Sequence, residues 1–352
     1  MDDRDGPGGN TPPPGRPVTM AEIARLAGVA ESTVSRALTG SSRVSEDTKQ
    51  RIRGIVEASG YKVNVRARAL RTRETRTIEV VIPISDANRQ HFSDPFFSQL
   101  IAAIGDALAE ADYDLLLSRL PPWSDKPGAD AVTAGRADGV IIIGQGDKPD
   151  LVNRHAERGY PMVVWGAQLP GAGYCSVGGD NRKGGELVGR HLRALGRTRV
   201  AFLGDVRHVE IGQRHQGCME ALAEGRPSSE PMLTLAMPFD AESAYAATKS
   251  LTGGGSWHDA IFAASDVIAI AAIQALQDAG LKVPEDVAVI GYDDIDIAGF
   301  LSPALTTVRQ DTRAAGRLLV EKLLAAIEGE KPESVVLDTE LIVRRSCGAK
   351  RS

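Results

Sequence analysis

From Ile78 onward the chain alternates two incompatible periodicities, and that alternation restricts the fold more than any other feature. IEVVIPI (from Ile78), YDLLL (Tyr113), GVIIIG (Gly139), PMVVWG (Pro161), RVAFLG (Arg199), DAIFAA (Asp259) and VAVIGYDD (Val287) are short, β-branched runs of the kind buried on both faces of a parallel sheet. Helical patterns separate them, as in Phe96 to Glu110, Asn181 to Leu195, Asp266 to Ala279 and Asp311 to Ile327. Seven strands interleaved with helices over some 270 residues predict an α/β domain of two similar lobes around a cleft. Ligands of such sheets bind beyond the carboxyl ends of the strands, so candidate site residues are sought in the loops that follow them.

Ahead of this region stands VTMAEIARLAGVAESTVSRAL, Val18 to Leu38. Thr19 is a suitable N-cap for a first helix with Ala21, Ile23, Ala24 and Ala27 at helical spacing. Gly28 permits the turn, and Val29 fills the angle between two helices. The second helix, from about Glu31 to Leu38, is expected to turn Val34, Ala37 and Leu38 inward and Ser32, Thr33, Ser35 and Arg36 outward. That is helix-turn-helix geometry, sized for the DNA major groove, although an ordinary helical hairpin has the same spacing. A third helix runs from Ser45 to about Ser59, with Ile52, Ile55 and Val56 on one face and Gly60 as its stop. Asn64 can cap a short basic helix from Val65 to Arg71 that carries Leu70, followed by a polar linker.

Charge distinguishes the two regions. The formal net charge of the 352 residues is -5, yet Pro17 to Arg76 holds 12 Lys and Arg against six acids. A basic module on an acidic body is the electrostatic footprint of a DNA reader. The predicted organisation is a disordered tail over 1–16, a DNA-binding domain over 17–61, a hinge helix and linker over 62–76, and a two-lobed effector-binding and dimerisation domain over 77–349.

Cys175, Cys218 and Cys347 lack metal or redox spacing and read as reduced thiols. No apolar run is long enough to span a bilayer, and the Gly- and Pro-rich start has no signal-peptide core, so a cytoplasmic protein without a membrane partner is expected. HExxH, GxSxG and P-loop patterns are absent; Gly144 to Gly146 lacks the third glycine of a dinucleotide fingerprint, and Gly253 to Gly255 precedes a strand. The six histidines show no ligand spacing, so neither catalysis, a metal nor a cofactor is expected.

The ordered series VTMAEIARLAGVAESTVSRAL, VSEDTKQRI, GYKVN, ARAL, SDPFF, DN…GG, GYDD and LTTVRQD resembles the lactose/galactose repressor (LacI/GalR) family from Val18 to Cys347. The resemblance implies a small all-α helix-turn-helix headpiece plus an α/β two-lobed periplasmic-binding-protein-like effector domain. It implies a repressor that binds a pseudo-palindromic operator as a homodimer or a dimer of dimers, under control of a small molecule, with a sugar expected. In this frame the DNA-binding positions fall on Thr19, Glu31, Ser32, Thr33, Ser35 and Arg36, with Asn64, Arg66, Arg68 and Leu70 on the hinge. The base-reading positions fall on Glu31 and Ser32, with Arg36 one turn later. Arg36 can read a guanine edge, Glu31 can accept from a cytosine amino group or repel a phosphate, Thr33 and Ser35 suit phosphates, and Leu70 aligns with the minor-groove wedge. The effector-binding positions fall on Phe96, Phe97, Arg214, Phe239, Ser265 and Asp293. Phe97 and Phe239 read equally as core residues; Arg214 and Asp293 offer a donor fork and an acceptor for vicinal hydroxyls. Gln310 is placed near the lobe hinge.

The sequence departs from the family at several points. Ala30 stands where Ser or Thr is common, removing an N-cap worth about 1 kcal/mol. Ser265-Asp266 replaces Asn-Asp, leaving one hydroxyl in place of an amide, with Asp266 read as a helix cap. Asp86 to Asp94, with His91, is longer than the usual turn, and PPWSDKPGAD replaces much of a helix. Two other readings stay open: a family member with a nucleobase corepressor or an activator role, and, remotely, a sugar-binding protein.

Overall fold

The computed structural model describes residues 18–38, 40–61, 74–82, 92–118, 132, 134–146, 149–224, 232–253 and 258–349. The expected hinge positions Asn64, Arg66, Arg68 and Leu70, the N-terminal tail, PPWSDKPGAD and most of the Asp86–Asp94 stretch lie outside the described residues. The chain divides into two compact units between Thr75 and Arg76.

In the first unit, α1 (Met20–Ala27), α2 (Glu31–Leu38) and α3 (Glu46–Ser59) enclose a core of Ile23, Ala24, Ala27, Val34, Ala37, Val44, Ile52 and Tyr61. Thr19 opens α1 with a capping box: its Oγ1 accepts from Glu22 N (3.3 Å), and Thr19 N donates to Glu22 Oε2 (2.8 Å). Gly28 closes it at φ 63°. α2 starts on Ala30, whose carbonyl takes the first helical bonds from Thr33 and Val34. Three local expectations are corrected. Ala21 is exposed, because the core contacts of α1 come from its opposite face. Ser35 is buried, since the arc of α2 facing α1 and α3 is wide enough to take the residue next to Val34. The Ser45 side chain bonds the Thr48 hydroxyl (2.9 Å) and caps no backbone N–H.

The second unit contains two six-stranded sheets. Lobe 1 is built on β1 (Thr77–Val81), β2 (Asp114–Ser118), β3 (Gly139–Ile143), β4 (Met162–Trp165), β5 (Cys175–Gly179) and β11 (Val335–Leu337), ordered β11-β5-β4-β3-β1-β2. Lobe 2 has β6 (Val200–Leu203), β7 (Leu233–Leu235), β8 (Ala260–Ala263), β9 (Ala288–Asp293), β10 (Thr306–Arg309) and β12 (Glu340–Ile342), ordered β12-β10-β9-β8-β6-β7. The two orders are the same pattern used twice. All pairings are parallel except β10 with β12.

All seven expected strands form, and β3, β4, β6, β8 and β9 are buried throughout, as their uninterrupted apolar runs require. Among the described residues the expectation of seven strands falls short by five. β5 carries two glycines, β10 is half threonine, and β7, β11 and β12 are three-residue edges, so none presents an apolar run of useful length. Around lobe 1 pack α4 (Pro95–Glu110), α5 (Pro149–Ala156) and α10 (Thr312–Ile327). Lobe 2 carries α6 (Asn181–Ala194), α7 (Val209–Ala223), α8 (Ala241–Gly253) and α9 (Asp266–Asp278). The chain therefore crosses between lobes three times: β5 to α6, β10 to α10, and β11 to β12.

Candidate functional site: an interlobe cleft and an exposed recognition helix

The carboxyl ends of the strands frame a cavity of about 110 Å³. Lobe 1 contributes Ile82, Asp94, Phe96, Phe97, Ile143 and Trp165; lobe 2 contributes His208, Glu210, Arg214, Phe239, Ser265 and Asp293. All six residues expected at the effector site, Phe96, Phe97, Arg214, Phe239, Ser265 and Asp293, line this one cavity, and Gln310 lies beside them.

The apolar walls follow from local structure. Asp94 caps α4 by accepting from Phe96 N (2.9 Å), and Pro95 at the first helical position fixes the entry angle. Phe96 and Phe97 are thereby set at the helix start, with Phe96 5.9 Å from both Phe97 and Trp165. In lobe 2 Phe239 meets the His208 ring edge to face at 5.5 Å. Burial pushes the Asp94 carboxyl up, against the opposing pull of the Phe96 and Phe97 backbone N–H groups.

Arg214 and Asp293 form the polar centre. Arg214 is buried, donates from Nε to Asn181 Oδ1 (2.8 Å) and from Nη1 to Ala264 O (2.6 Å), and lies 3.6 Å over the Tyr292 ring. Asp293 Oδ1 accepts from Gln310 Nε2 (2.7 Å) and stands 3.9 Å from Arg214 Nη1. Arg214 Nη2 and Asp293 Oδ2 carry no protein hydrogen bond among the described residues. The pair thus offers a donor and an acceptor side by side, the arrangement that vicinal hydroxyls satisfy. Burial drives the Asp293 carboxyl well above the ordinary carboxylate range, with Arg214 pulling the other way. Burial also holds the Tyr292 phenol up at about 12.

Ser265 caps α9 by accepting from Ile268 N (3.4 Å) while still facing the cavity. Asp266 is not the cap: fully buried, it accepts from Thr307 Oγ1 (2.6 Å) and Ile295 N (2.9 Å), and burial pushes it up to about 7. Sequence reasoning missed Trp165, His208 and Glu210. Trp165 closes an apolar strand and reads as core, which at 7 % exposure it nearly is. His208 and Glu210 flank the start of α7 without a motif of their own.

In the first unit, Glu31, Ser32 and Arg36 are exposed on α2, Thr33 is half-buried, and Thr19 is exposed with its hydroxyl in the capping box. Burial removes Ser35 from the surface expected to meet phosphates. Among the described residues, no His, Cys, Asp and Glu cluster suited to a metal occurs, and no helix is long and apolar enough to cross a membrane. The three cysteines are free and buried.

Residues 19–64 match the family described as bacterial regulatory proteins, lacI family, and residues 190–347 match a periplasmic binding protein-like domain. The HTH-type transcriptional regulator CelR of Thermobifida fusca is 34% identical over 334 residues, covering 93% of this chain and 98% of its own. A lac repressor dimer bound to operator and an anti-inducer superposes with a TM-score of 0.81 at 25% identity, over 94% of this chain and 99% of that one. A complex of the transcriptional regulator CelR with cellobiose gives 0.67 at 32% identity, over 94% and 100%. With recognition helix, paired sheets and relatives in agreement along nearly the whole length, the chain belongs to the lacI family of bacterial regulatory proteins and is a DNA-binding transcriptional regulator.

Proposed function

We propose that this regulator is a cytoplasmic repressor that grips a pseudo-palindromic operator as a homodimer and releases it when a neutral saccharide enters the interlobe cleft. The observation that carries the effector class is the pairing of aromatic walls (Phe96 and Trp165 in lobe 1, Phe239 in lobe 2) with the Arg214–Asp293 centre. Aromatic faces match the C–H faces of a pyranose, and the charged pair matches adjacent hydroxyls. Asp94, Glu210 and Asp293 share the cavity with Arg214, so its guanidinium is surrounded by the protein's own carboxyl groups. A β-linked glucose disaccharide is the first candidate, as the CelR–cellobiose complex is among the relatives. No residue set in the cleft is assigned a catalytic role.

On the DNA side, Glu31, Ser32 and Arg36 read bases, Thr33 sets register on phosphates, and the segment with Asn64, Arg66, Arg68 and Leu70 completes the grip in the minor groove. The test is selection from random duplex DNA at physiological salt, then titration of cellobiose into the protein–DNA complex. Enrichment of a palindrome and its release by cellobiose are expected. A nonpalindromic site overturns the dimeric reading; binding tightened by a purine base and indifferent to cellobiose overturns the saccharide reading in favour of a corepressor.

A further inference from the structure

The three crossings between lobes converge on Gly179, the last residue of β5. Asn181, at the first crossing, is 3 % exposed; its Nδ2 donates to Gly179 O (3.0 Å) and its Oδ1 accepts from Arg214 Nε (2.8 Å). Gln310, at the second, is 6 % exposed; its Nε2 donates to Asp293 Oδ1 (2.7 Å), and its Oε1 lies 3.2 Å from where a Cβ on Gly179 would stand. Thr339, at the third, places Cγ2 3.3 Å from the same point and donates from Oγ1 to Asp180 O (3.3 Å). Two of the crossings thus hold one group of the cleft each through a side-chain amide: that of Asn181 bonds on both sides, its donor to Gly179 and its acceptor to Arg214, while that of Gln310 donates to Asp293 and packs its oxygen against Gly179.

We propose that Asn181 and Gln310 are positioning residues that convert occupancy of the cleft into relative movement of the lobes. A ligand that engages Arg214 Nη2 and Asp293 Oδ2 draws on groups whose remaining bonds end on the crossings. Neither group can shift without breaking a buried hydrogen bond or carrying the crossing with it. The choice of ligand below rests on the saccharide reading; the linkage itself rests on the hydrogen bonds.

The experiment measures the lobe-to-lobe distance by pulsed electron spin resonance in the full-length protein. Labels go on Glu110→Cys in α4 and Lys249→Cys in α8, both exposed, and the labelled protein is diluted into unlabelled protein. The native cysteines are buried and do not compete. Cellobiose binding is followed separately by calorimetry. The expected result is that cellobiose shifts the distance in the parent. Gln310→Met and Asn181→Asp bind it up to about tenfold more weakly, the scale of one hydrogen bond, yet lose the shift at saturation. Asn181→Asp keeps an acceptor for Arg214, now a carboxylate, and gives up the donor to Gly179. Thr339→Val perturbs a crossing without touching either charged group and is expected to keep the shift. The proposal is overturned if the amide variants shift as the parent does, or if Thr339→Val loses the shift equally. If the parent fails to bind cellobiose, the saccharide reading fails for that ligand, and the ligand-free distances decide the linkage. Broadened or displaced distributions in Gln310→Met and Asn181→Asp support it, and distributions superimposable on the parent overturn it.

Discussion

Gly185→Ala puts the placement of Arg214 to its most direct test. A Cβ on Gly185 of α6 would stand 1.9 Å from Arg214 O on α7, and a Cβ on Gly217 of α7 would stand 1.9 Å from Arg182 O on α6. The two helices therefore meet backbone to backbone, and the obstructing atom cannot swing aside as a side chain could. To reach even the 3.0 Å that real Cβ atoms keep, α7 must recede by about 1.1 Å. That displacement carries Arg214 Nε from 2.8 Å to beyond bonding reach of Asn181. Overpacking costs about 1–3 kcal/mol and a charge-assisted bond about 1.5–3 kcal/mol, offset by ~1 kcal/mol from the better helix propensity of alanine. A net loss of about 3 kcal/mol lowers Tm by roughly 6–12 °C in a unit of this size. Gly105→Ala in α4 is the matched control, because its Cβ meets only Leu115 Cδ1 at 3.8 Å. Scanning calorimetry reads the stability, and isothermal titration with the saccharide reads the site. If Gly185→Ala melts with Gly105→Ala, the close-approach argument fails. If it is destabilised yet binds effector with parental affinity, the link from helix packing to Arg214 fails.

Other outcomes follow from single residues. Burial holds Asp266 at about 7, above its ordinary 3.8, so the folded protein retains the proton longer than the unfolded chain. Stability contributed by that proton is complete below about pH 4 and is lost as pH rises toward 7, at up to ~1.4 kcal/mol per pH unit. Urea unfolding of the parent should lose stability relative to Asp266→Asn across that window; parallel pH profiles would count against the buried carboxyl. Phe300 is 88 % exposed beside Ile297 at 54 % on the short 3-10 turn Asp296–Phe300, a patch suited to a second copy. Phe300→Asp should raise the dimer dissociation constant at least tenfold in analytical ultracentrifugation, and an unchanged dimer would remove Phe300 from the interface. Arg36→Ala should relax base preference at one position of each half-site, at about 1–3 kcal/mol, in the random-duplex selection. An unaltered site pattern would show that Arg36 contacts only the backbone.

How much could be read in advance depended on how local the determinants were. α1, the turn at Gly28 and α2 were legible because Thr19, Ile23, Gly28 and Val34 each act within one or two helical turns. Ser35 was misplaced because an eight-residue helix does not reveal how wide an arc its neighbours cover. The central strands announced themselves as apolar runs, whereas β5 (CSVGG) is a strand by virtue of its partners β4 and β11; Gly178 lets it approach the Gly166 backbone and Gly179 leaves room for the crossings. The cleft residues come from the ends of eight separate strands; motif order named Phe96, Phe97, Arg214, Phe239, Ser265 and Asp293, and no periodicity could have joined them. Trp165 escaped because a tryptophan ending a buried strand looks the same whether its far face meets core or cavity.

The motif GYDD shows why a departure at the end of the neighbouring strand leaves the loop intact. Asp293 sits at φ 117° and Asp294 at φ 56°, backbone conformations that cost about 1–3 kcal/mol each in residues with a Cβ. They persist because the loop is tied on every side. Asp294 N donates to Thr307 Oγ1, and the Asp294 carboxylate accepts from Arg309 Nε (2.7 Å) and Arg344 Nη2 (2.6 Å). Asp266 accepts from Ile295 N and Thr307 Oγ1. Gly291 leaves space for that carboxyl, since a Cβ there would lie 2.1 Å from Asp266 Oδ1. Tyr292 supplies the ring beneath Arg214. The four residues of the motif thus divide the work between them, as room, platform, cavity-facing carboxyl and anchor in that order. Ser265 in place of asparagine removes an amide from the cavity wall, but the anchoring runs through Asp266, which is present. The aim of Asp293 is therefore independent of residue 265, and the change there falls on the hydrogen-bonding groups of the cavity wall, leaving the Arg214–Asp293 pair as it stands.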